Sequence, residues 1–291
     1  MIHKLHIKKP HLKKKPTLIT VGILLLVALS YFSYGYFFFQ STDDAYVQAH
    51  TSLLAARIPG TVQQVMVDEN YKVRQGQLLI QLDDRDNRAA RDQAEADLGA
   101  ATSDAESARI KYERYQKLIK TNAISRQQFD DQAAVYSSQS KKMKSLEAAL
   151  KTAELRLSYT KIVAPTDGTI GRKSVEPGMV ISPGQALLGF VEGHERWVTA
   201  NFRETELKGV EPGKKARVEV DSISGKTFQG EVESIAPHTG ATFALLPPDN
   251  ATGNFTKVVQ RVPVRIKLAG LSPDEVDLLQ SGLSAVVTVR K

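Results

Sequence analysis

The sequence predicts a mostly β protein that is interrupted by a long α-helical coiled-coil hairpin and preceded by a single transmembrane helix. Three observations predict this fold class. Residues 18–39 carry no charged side chain, residues 84–159 contain no proline and one glycine, and two similar glycine-containing segments flank that stretch. Proline and glycine disfavour helix interiors, whereas glycine, proline and β-branched residues mark short strands and their turns.

The first element is a predicted transmembrane helix over residues 18–39, which at roughly 33 Å would cross the hydrocarbon core of a bilayer. A lysine-rich tail, residues 1–17, precedes it, and Asp43 and Asp44 follow it. The positive-inside rule therefore places the N-terminus in the cytoplasm and the bulk of the chain on the outer side of the membrane. A cleaved signal peptide is the alternative, but the apolar run is long and no small-x-small cleavage site follows it.

The charge and the cysteine count exclude several classes of protein. The net charge is +7, and most of the excess lies in the basic tail, so no nucleic-acid partner is expected. The chain has no cysteine, which excludes disulfides, a thiolate nucleophile and a lipid-modified cysteine anchor. The predicted transmembrane helix is then the anchor.

Two segments of the exported part align without gaps at an offset of 108 residues, namely 60–82 and 168–190. Turn glycines and apolar positions coincide, which predicts two copies of one small β-unit that complete a shared core. Such paired half-motifs resemble biotinyl and lipoyl carrier domains. We expect the half-motifs at residues 45–83 and 160–196, and no modified carrier, because no lysine remains on a short turn between them. Six aligned pairs are identical: Gly60 and Gly168, Thr61 and Thr169, Val67 and Val175, Gly76 and Gly184, Gln77 and Gln185, and Leu79 and Leu187.

Residues 84–159 predict two helices of similar length that are joined at 121–124. Apolar and small side chains recur with heptad spacing on both helices, which is typical of an antiparallel coiled coil. Ser125 and Gln128 have the spacing of a capping box and would start the second helix. The alternative is an ordinary helical pair packed on a globular core, which would need a wider apolar stripe. The predicted seam comprises Leu98, Ala101, Ala105, Ala108, Tyr112, Tyr115 and Ile119 on the first helix, and Phe129, Ala133, Tyr136, Ser140, Met143, Leu150 and Leu157 on the second.

Residues 197–291 alternate strand-like runs with turns and predict a C-terminal β-barrel. Within them, residues 237–254 show no periodicity, and loops of this length in compact domains are usually functional or disordered. We expect this loop to contact either the substrate or a neighbouring protomer. The residues expected to make that contact are Phe243, Leu245, Leu246, Asn254 and Phe255.

Three segments carry a family resemblance: TDDAYV at 42–47, APTDGTI at 164–170 and LPPDNATGNFTKVVQRVPVRI at 246–266. They resemble the HlyD and EmrA class of periplasmic adaptors, also called membrane fusion proteins, and within it most closely the EmrA branch. The resemblance implies a homo-oligomeric ring, trimeric or hexameric, that links an inner-membrane transporter of the major-facilitator type to a TolC-like outer-membrane channel. Drugs and other hydrophobic compounds would be exported. The alternatives are an adaptor of an ATP-driven exporter and one of an aromatic-acid efflux pump.

Adaptors of this class that dock on TolC-type channels carry an arginine, a leucine and a serine at fixed spacing around the hairpin tip. Arg114, Leu118 and Ser125 match that spacing, so the resemblance implies that they contact the channel. Simpler explanations exist for each residue. Leu118 could serve helix packing, Ser125 is explained as an N-cap, and arginine is common on solvated faces.

An enzyme is the main alternative class of function. The histidines of the exported part stand apart in the sequence, and no metal-binding pair or serine elbow is present, so we expect no catalytic residues, no metal and no cofactor. The adjacent acids Asp83 and Asp84 precede the first predicted helix, where capping explains them better than catalysis. A structural tether that does not take part in transport is the other alternative.

Overall fold

The structure, a computed structural model, describes residues 38–242 and 258–291. The described chain divides into two units: residues 50–194 form one, and residues 38–49 form the other together with the described residues from 195 onward. The predicted basic tail and all but the last two residues of the predicted transmembrane helix lie outside the described residues. In the part that is described, no helix is both long and apolar enough to span a bilayer.

The described chain contains fourteen strands and three α-helices. In chain order they are β1 (Phe39–Gln48), β2 (Thr51–Ala55), β3 (Gly60–Val65), β4 (Lys72–Val73), β5 (Leu78–Leu82), α1 (Arg85–Lys120), α2 (Arg126–Ser158), β6 (Lys161–Val163), β7 (Gly168–Lys173), β8 (Val180–Ile181), β9 (Ala186–Glu192), β10 (Trp197–Arg203), β11 (Lys215–Val220), β12 (Thr227–Ile235), β13 (Arg261–Leu268), α3 (Pro273–Leu278) and β14 (Ser284–Arg290). A short 3-10 turn, Glu204–Glu206, follows β10.

Residues 50–194 form a sandwich of two four-stranded sheets, into which the hairpin is inserted between β5 and β6. The strand orders are β2-β9-β7-β4 and β6-β5-β3-β8, so each sheet takes two strands from each half-motif. The buried core likewise combines equivalent residues of the two halves: Val62 with Ile170, Val67 with Val175, and Leu79 with Leu187. The prediction that neither half-motif forms a complete core alone is confirmed.

The hydrogen bonds of the sandwich repeat with the same offset. Gly76 N–H donates to the Ala164 carbonyl oxygen (2.9 Å), and Gly184 N–H donates to the Ala56 carbonyl oxygen (2.8 Å). Both glycines have positive φ angles, 76° and 82°, a region in which a side chain is strained. The positive φ angle therefore explains why both copies of the repeat have glycine at this turn.

The hairpin consists of α1 and α2, which have 36 and 33 residues and are about 54 and 50 Å long at 1.5 Å per residue. Ala101, Ala105 and Ala108 are buried on α1, as small seam residues allow close helix approach. None of the residues of α2, all of which the structure describes, is fully buried. The two helices therefore pack against each other as a coiled coil, and the alternative of a helical pair on a globular core is not supported.

The start of α1 differs from the expectation that Asp83 and Asp84 cap the helix. Asp84 occupies the N-cap position but makes no side-chain capping bond; its carboxylate pairs with Arg88 (2.7 Å). Asp83 accepts the backbone N–H of Arg85 (3.2 Å) and pairs with its guanidinium (2.6 Å). These bonds lower the pKa of Asp83 to about 2, with the Arg85 side-chain bond as the main cause. Ion pairing to nearby arginines therefore replaces most of the expected capping.

The other unit is a closed six-stranded antiparallel barrel with the order β1-β10-β13-β12-β11-β14. Side chains that alternate along each strand fill its interior, among them Val198, Ala200 and Phe202 of β10. The barrel is larger than the sequence indicated, because β1 closes it between β10 and β14. The predictions that residue 39 belongs to the transmembrane helix and that residues 45–48 belong to the first half-motif are wrong, because these residues form part of β1. The register of β1 shifts between Thr42 and Ala45, which hides the two-residue alternation that would have marked a strand.

Candidate docking site at the hairpin tip

The hairpin tip is a short turn whose backbone bonds close the end of α1. The Leu118 carbonyl oxygen accepts the N–H groups of Thr121 (3.2 Å) and Ala123 (3.1 Å), and also the Thr121 hydroxyl (2.9 Å). Asn122 has a φ of 56°, a left-handed conformation that asparagine tolerates better than most residues. The turn is thus specified by the sequence.

The predicted capping box at the start of α2 is confirmed. Ser125 Oγ accepts the N–H of Gln128 (3.2 Å), and Gln128 Oε1 accepts the N–H of Ser125 (3.0 Å). These reciprocal bonds satisfy two backbone donors that a helix N-terminus otherwise leaves unpaired. The Ser125 hydroxyl therefore has a structural partner, although the residue itself is exposed.

Arg114 and Leu118 lie one helical turn apart on the last turns of α1, so they share a face. Arg114 is exposed and Leu118 is half-buried. Most arginines of the hairpin are paired with carboxylates, such as Arg109 with Glu106 (2.7 Å). In the described chain Arg114 makes no ion pair. Its guanidinium is available to an acidic group of another molecule.

Aromatic side chains support the tip from within the seam. Tyr112 of α1 stacks on Tyr136 of α2, with 5.3 Å between ring centroids, and lies 5.6 Å from Phe129. The Arg126 guanidinium lies over the Phe129 ring (5.8 Å). Such contacts between rings add to the stability that their burial provides. These ring contacts therefore join α1 to α2 close to the tip.

The other predicted contact residues, Phe243, Leu245, Leu246, Asn254 and Phe255, lie outside the described residues. The backbone on either side of them is ordered by β-type bonds between the ends of β12 and β13. Ala236 N–H donates to the Pro263 carbonyl oxygen (2.9 Å), and Gly240 N–H donates to that of Arg261 (3.0 Å).

A cluster of polar side chains on the barrel was not predicted, although its first members belong to the TDDAYV segment. Asp44 accepts the Asn201 side-chain amide (3.1 Å) and pairs with Arg261 (2.8 Å). The Thr42 hydroxyl, in a buried residue, donates to the Asn201 carbonyl oxygen (2.9 Å). This cluster ties the bulged strand β1 to β10 and β13. The only signal for this cluster in the sequence was the pair of adjacent acids, Asp43 and Asp44, in the TDDAYV segment.

Two family models match this chain, one in the hairpin and one in the barrel. The family model described as "RND MFP, alpha-helical hairpin domain" matches residues 90–160, and the "CusB-like, beta-barrel domain" model matches residues 196–242. The chain is 34% identical to the "Colistin resistance protein EmrA" of Acinetobacter baumannii, with 93% of this chain and 92% of the relative covered. The chain belongs to the EmrA family of periplasmic adaptors.

Other comparisons agree with this family. The "Multidrug export protein EmrA" of Haemophilus influenzae is 31% identical, with 96% of this chain and 84% of the relative covered. The solved structure of the membrane fusion protein Spr0693 from Streptococcus pneumoniae R6 has a TM-score of 0.61 at 16% identity and covers 87% of this chain and 98% of that one, which shows the shared fold. This EmrA-family chain is a non-enzymatic adaptor subunit of the multidrug-efflux class.

Proposed function

We propose that this EmrA-family adaptor links an inner-membrane transporter of the major-facilitator type to a TolC-like outer-membrane channel in a tripartite pump that exports drugs and other hydrophobic compounds. The observation that carries the proposal is the hairpin, whose two helices of 36 and 33 residues end in an ordered, exposed tip. A rigid arm of about 50 Å provides reach across an aqueous compartment, which is a geometric function rather than a catalytic one. The transporter supplies the energy.

The docking surface in this proposal comprises Arg114, Leu118 and Ser125. Arg114 supplies a guanidinium without an ion pair in the described chain, and Leu118 supplies a half-buried apolar contact next to it on the same face. Arginine is among the residue types that most often dominate binding energy at protein interfaces. Ser125 contributes by fixing the start of α2, because its hydroxyl is engaged in the capping box.

Membrane attachment and oligomer formation complete the proposal. The apolar segment from residue 18 to residue 38 anchors the adaptor in the inner membrane as a single-pass helix with a cytoplasmic N-terminus, and the bulk of the chain lies in the periplasm. Because β1 begins at Phe39, the anchoring helix ends at or before Phe38 in this proposal. The adaptor works as a homo-oligomeric ring, trimeric or hexameric.

The loop between β12 and β13 has a separate role in the proposal. Its residues Phe243, Leu245, Leu246, Asn254 and Phe255 contact either the exported compound or a neighbouring protomer. The support is the apolar character of the loop and its ordered attachment at Arg261, which is held in turn by Asp44. Replacing Phe243, Leu245, Leu246 and Phe255 with serine should lower export or oligomer formation; an unchanged result in both assays contradicts this role.

Photocrosslinking tests the docking surface. A photoreactive amino acid placed at the exposed Lys117, next to Arg114, should capture the outer-membrane channel in whole cells. Arg114→Asp should reduce the yield at least tenfold, since reversing a contacting charge costs roughly 1.4 kcal/mol or more. Lys144→Asp is the matched control, because this exposed residue of α2 lies about 30 Å from the tip. An undiminished yield with Arg114→Asp contradicts the docking surface.

A further inference from the structure

A concave surface that the proposed function does not use lies within the unit of residues 50–194. It is formed where the base of the hairpin meets β2 and β6, which are edge strands of the two sheets. Its volume is about 1020 Å³, comparable to that of small-molecule sites. The larger apolar residues that line it are Leu53, Leu54, Leu157, Ile162, Val163 and Pro165.

Two of these apolar side chains are unusually exposed. Leu53 is 71% exposed on the edge strand β2, and Val163 is 44% exposed on the edge strand β6. Open edges with exposed large apolar side chains favour association with other molecules, so proteins normally protect them. Their convergence on one cleft indicates a binding surface rather than scattered exposure.

The charged groups around the cleft are mostly cationic. Arg57 lies over the Tyr159 ring (5.2 Å), and neither Arg57 nor Lys161 makes an ion pair within the described chain. Arg91 also lines the cleft; its terminal nitrogens pair with Asp92 (3.0 Å) and Glu95 (2.9 Å), whereas its Nε is buried without a hydrogen-bond partner among the described residues. Glu154 is the one carboxylate in this lining.

We propose that this cleft binds a small amphipathic organic anion. The apolar body of the ligand lies against Leu53, Leu157 and Val163, and its carboxylate or sulfonate group is held by Arg57 and Lys161. A guanidinium pairs well with planar acid groups and is weakly hydrated, so it suits a half-apolar site better than an ammonium does. Tyr159 positions the Arg57 guanidinium by cation–π contact. Glu154 weakens the binding of the anion, because its carboxylate carries a charge of the same sign.

The lack of native cysteine allows a direct binding assay on the full chain in lipid nanodiscs. In the Leu53→Cys variant, the rate of alkylation by iodoacetamide reports access to the cleft. The aromatic sulfonate 8-anilinonaphthalene-1-sulfonate should slow alkylation in a saturable manner, about tenfold when its concentration is ten times its dissociation constant. N-phenyl-1-naphthylamine has the same apolar body without the sulfonate and should protect much less. Val135→Cys on α2, 44% exposed, is the control site and should show no protection by either probe.

Charge variants in the Leu53→Cys background identify the acid-binding groups. Arg57→Gln should raise the dissociation constant of the sulfonate about tenfold to a hundredfold, the usual loss of one hydrogen bond to a charged group. Glu154→Gln should lower it about twofold to fivefold by removing repulsion. Lys144→Gln, distant on α2, should leave it unchanged.

The proposal is overturned if the two probes protect Leu53→Cys equally. It is also overturned if Arg57→Gln leaves the dissociation constant of the sulfonate unchanged. Protection that appears without the probe as the protein concentration rises overturns it too, because the occupant is then a second copy of the chain. The assay needs neither transporter nor channel, so its outcome is independent of the proposed role in a tripartite pump.

Discussion

Gln77 and Gln185 make the same hydrogen bonds at equivalent turns of the two half-motifs. Gln77 Oε1 accepts the N–H of Arg74 (3.0 Å), and Gln185 Oε1 accepts that of Ser182 (3.1 Å). In each turn the glutamine N–H also donates back to the carbonyl oxygen of the same partner, at 3.0 and 3.1 Å. The sequence repeat is therefore a repeat of hydrogen bonds as well as of residue types.

We expect Gln77→Ala and Gln185→Ala to have matching local effects. Each variant should speed hydrogen exchange of the partner amide, Arg74 or Ser182, about fivefold to tenfold, because a lost hydrogen bond costs about 1 kcal/mol. Exchange measured by mass spectrometry on the full chain checks this. Gln116→Ala, on an exposed face of α1, should leave both turns unchanged. An effect in only one turn contradicts the equivalence.

The equivalence breaks at another pair, Gly60 and Gly168, which gives a second prediction. A Cβ at Gly168 would overlap the backbone oxygen of Val191 and the ring of Phe190, whereas a Cβ at Gly60 would meet Leu82 at an ordinary 3.7 Å. Gly168→Ala should therefore destabilise the sandwich by about 1–3 kcal/mol through overpacking, and Gly60→Ala should be well tolerated. Thermal unfolding of both variants measures the difference. Equal unfolding midpoints of the two variants would contradict this prediction, because β7 and β9 would then accommodate the added methyl group without loss of stability.

The tip turn allows capping to be separated from docking. Ser125→Ala removes the acceptor for the Gln128 N–H and should weaken the start of α2 by about 1 kcal/mol. Ser125→Asp keeps an N-cap acceptor and should retain the helix start. Hydrogen exchange over residues 126–129 distinguishes the two variants. If Ser125→Ala exchanged no faster than the wild type, the capping box would not be what fixes the tip.

The ion pair between Glu275 and Lys226 (2.7 Å) gives a prediction about pH. The hydrogen bond from Lys226, followed by bonds from Ser272, lowers the pKa of Glu275 to about 2 from 4.5. The pKa of Glu275 is lower in the folded state than in the unfolded state. The contribution of the ionised Glu275 side chain to barrel stability is therefore present above about pH 4.5 and is lost as pH falls toward 2. A carboxyl carbon NMR titration should give a pKa near 2, and Lys226→Met should raise it. An unchanged value in that variant would rule out Lys226 as the main cause.

The sequence predicted those parts of the fold whose signals are local. The capping box at Ser125 is present, and the heptad pattern matches the observed seam at Ala101, Ala105 and Ala108. Each depends on residues within a few positions of one another or on a regular period. Local hydrogen bonding and helix periodicity suffice to specify such elements.

The features that the sequence did not predict depend on contacts between residues that are far apart in the chain. β1 joins the barrel through pairs such as Val47 with Val198, and its bulge between Thr42 and Ala45 disrupts the alternation. The Asp44–Arg261 pair likewise joins residues that are more than two hundred positions apart. The cleft beside Arg57 arises because the hairpin base and two edge strands converge, which no linear motif records.

Dye accumulation in cells tests the adaptor role most directly. Deleting the gene for this chain should raise intracellular accumulation of an exported dye as much as deleting its transporter does, and the double deletion should add nothing. Complementation with the wild type or Lys144→Asp should restore export, whereas Arg114→Asp should not. Unchanged accumulation after deletion, or full export with Arg114→Asp, would contradict an adaptor that works through its hairpin tip.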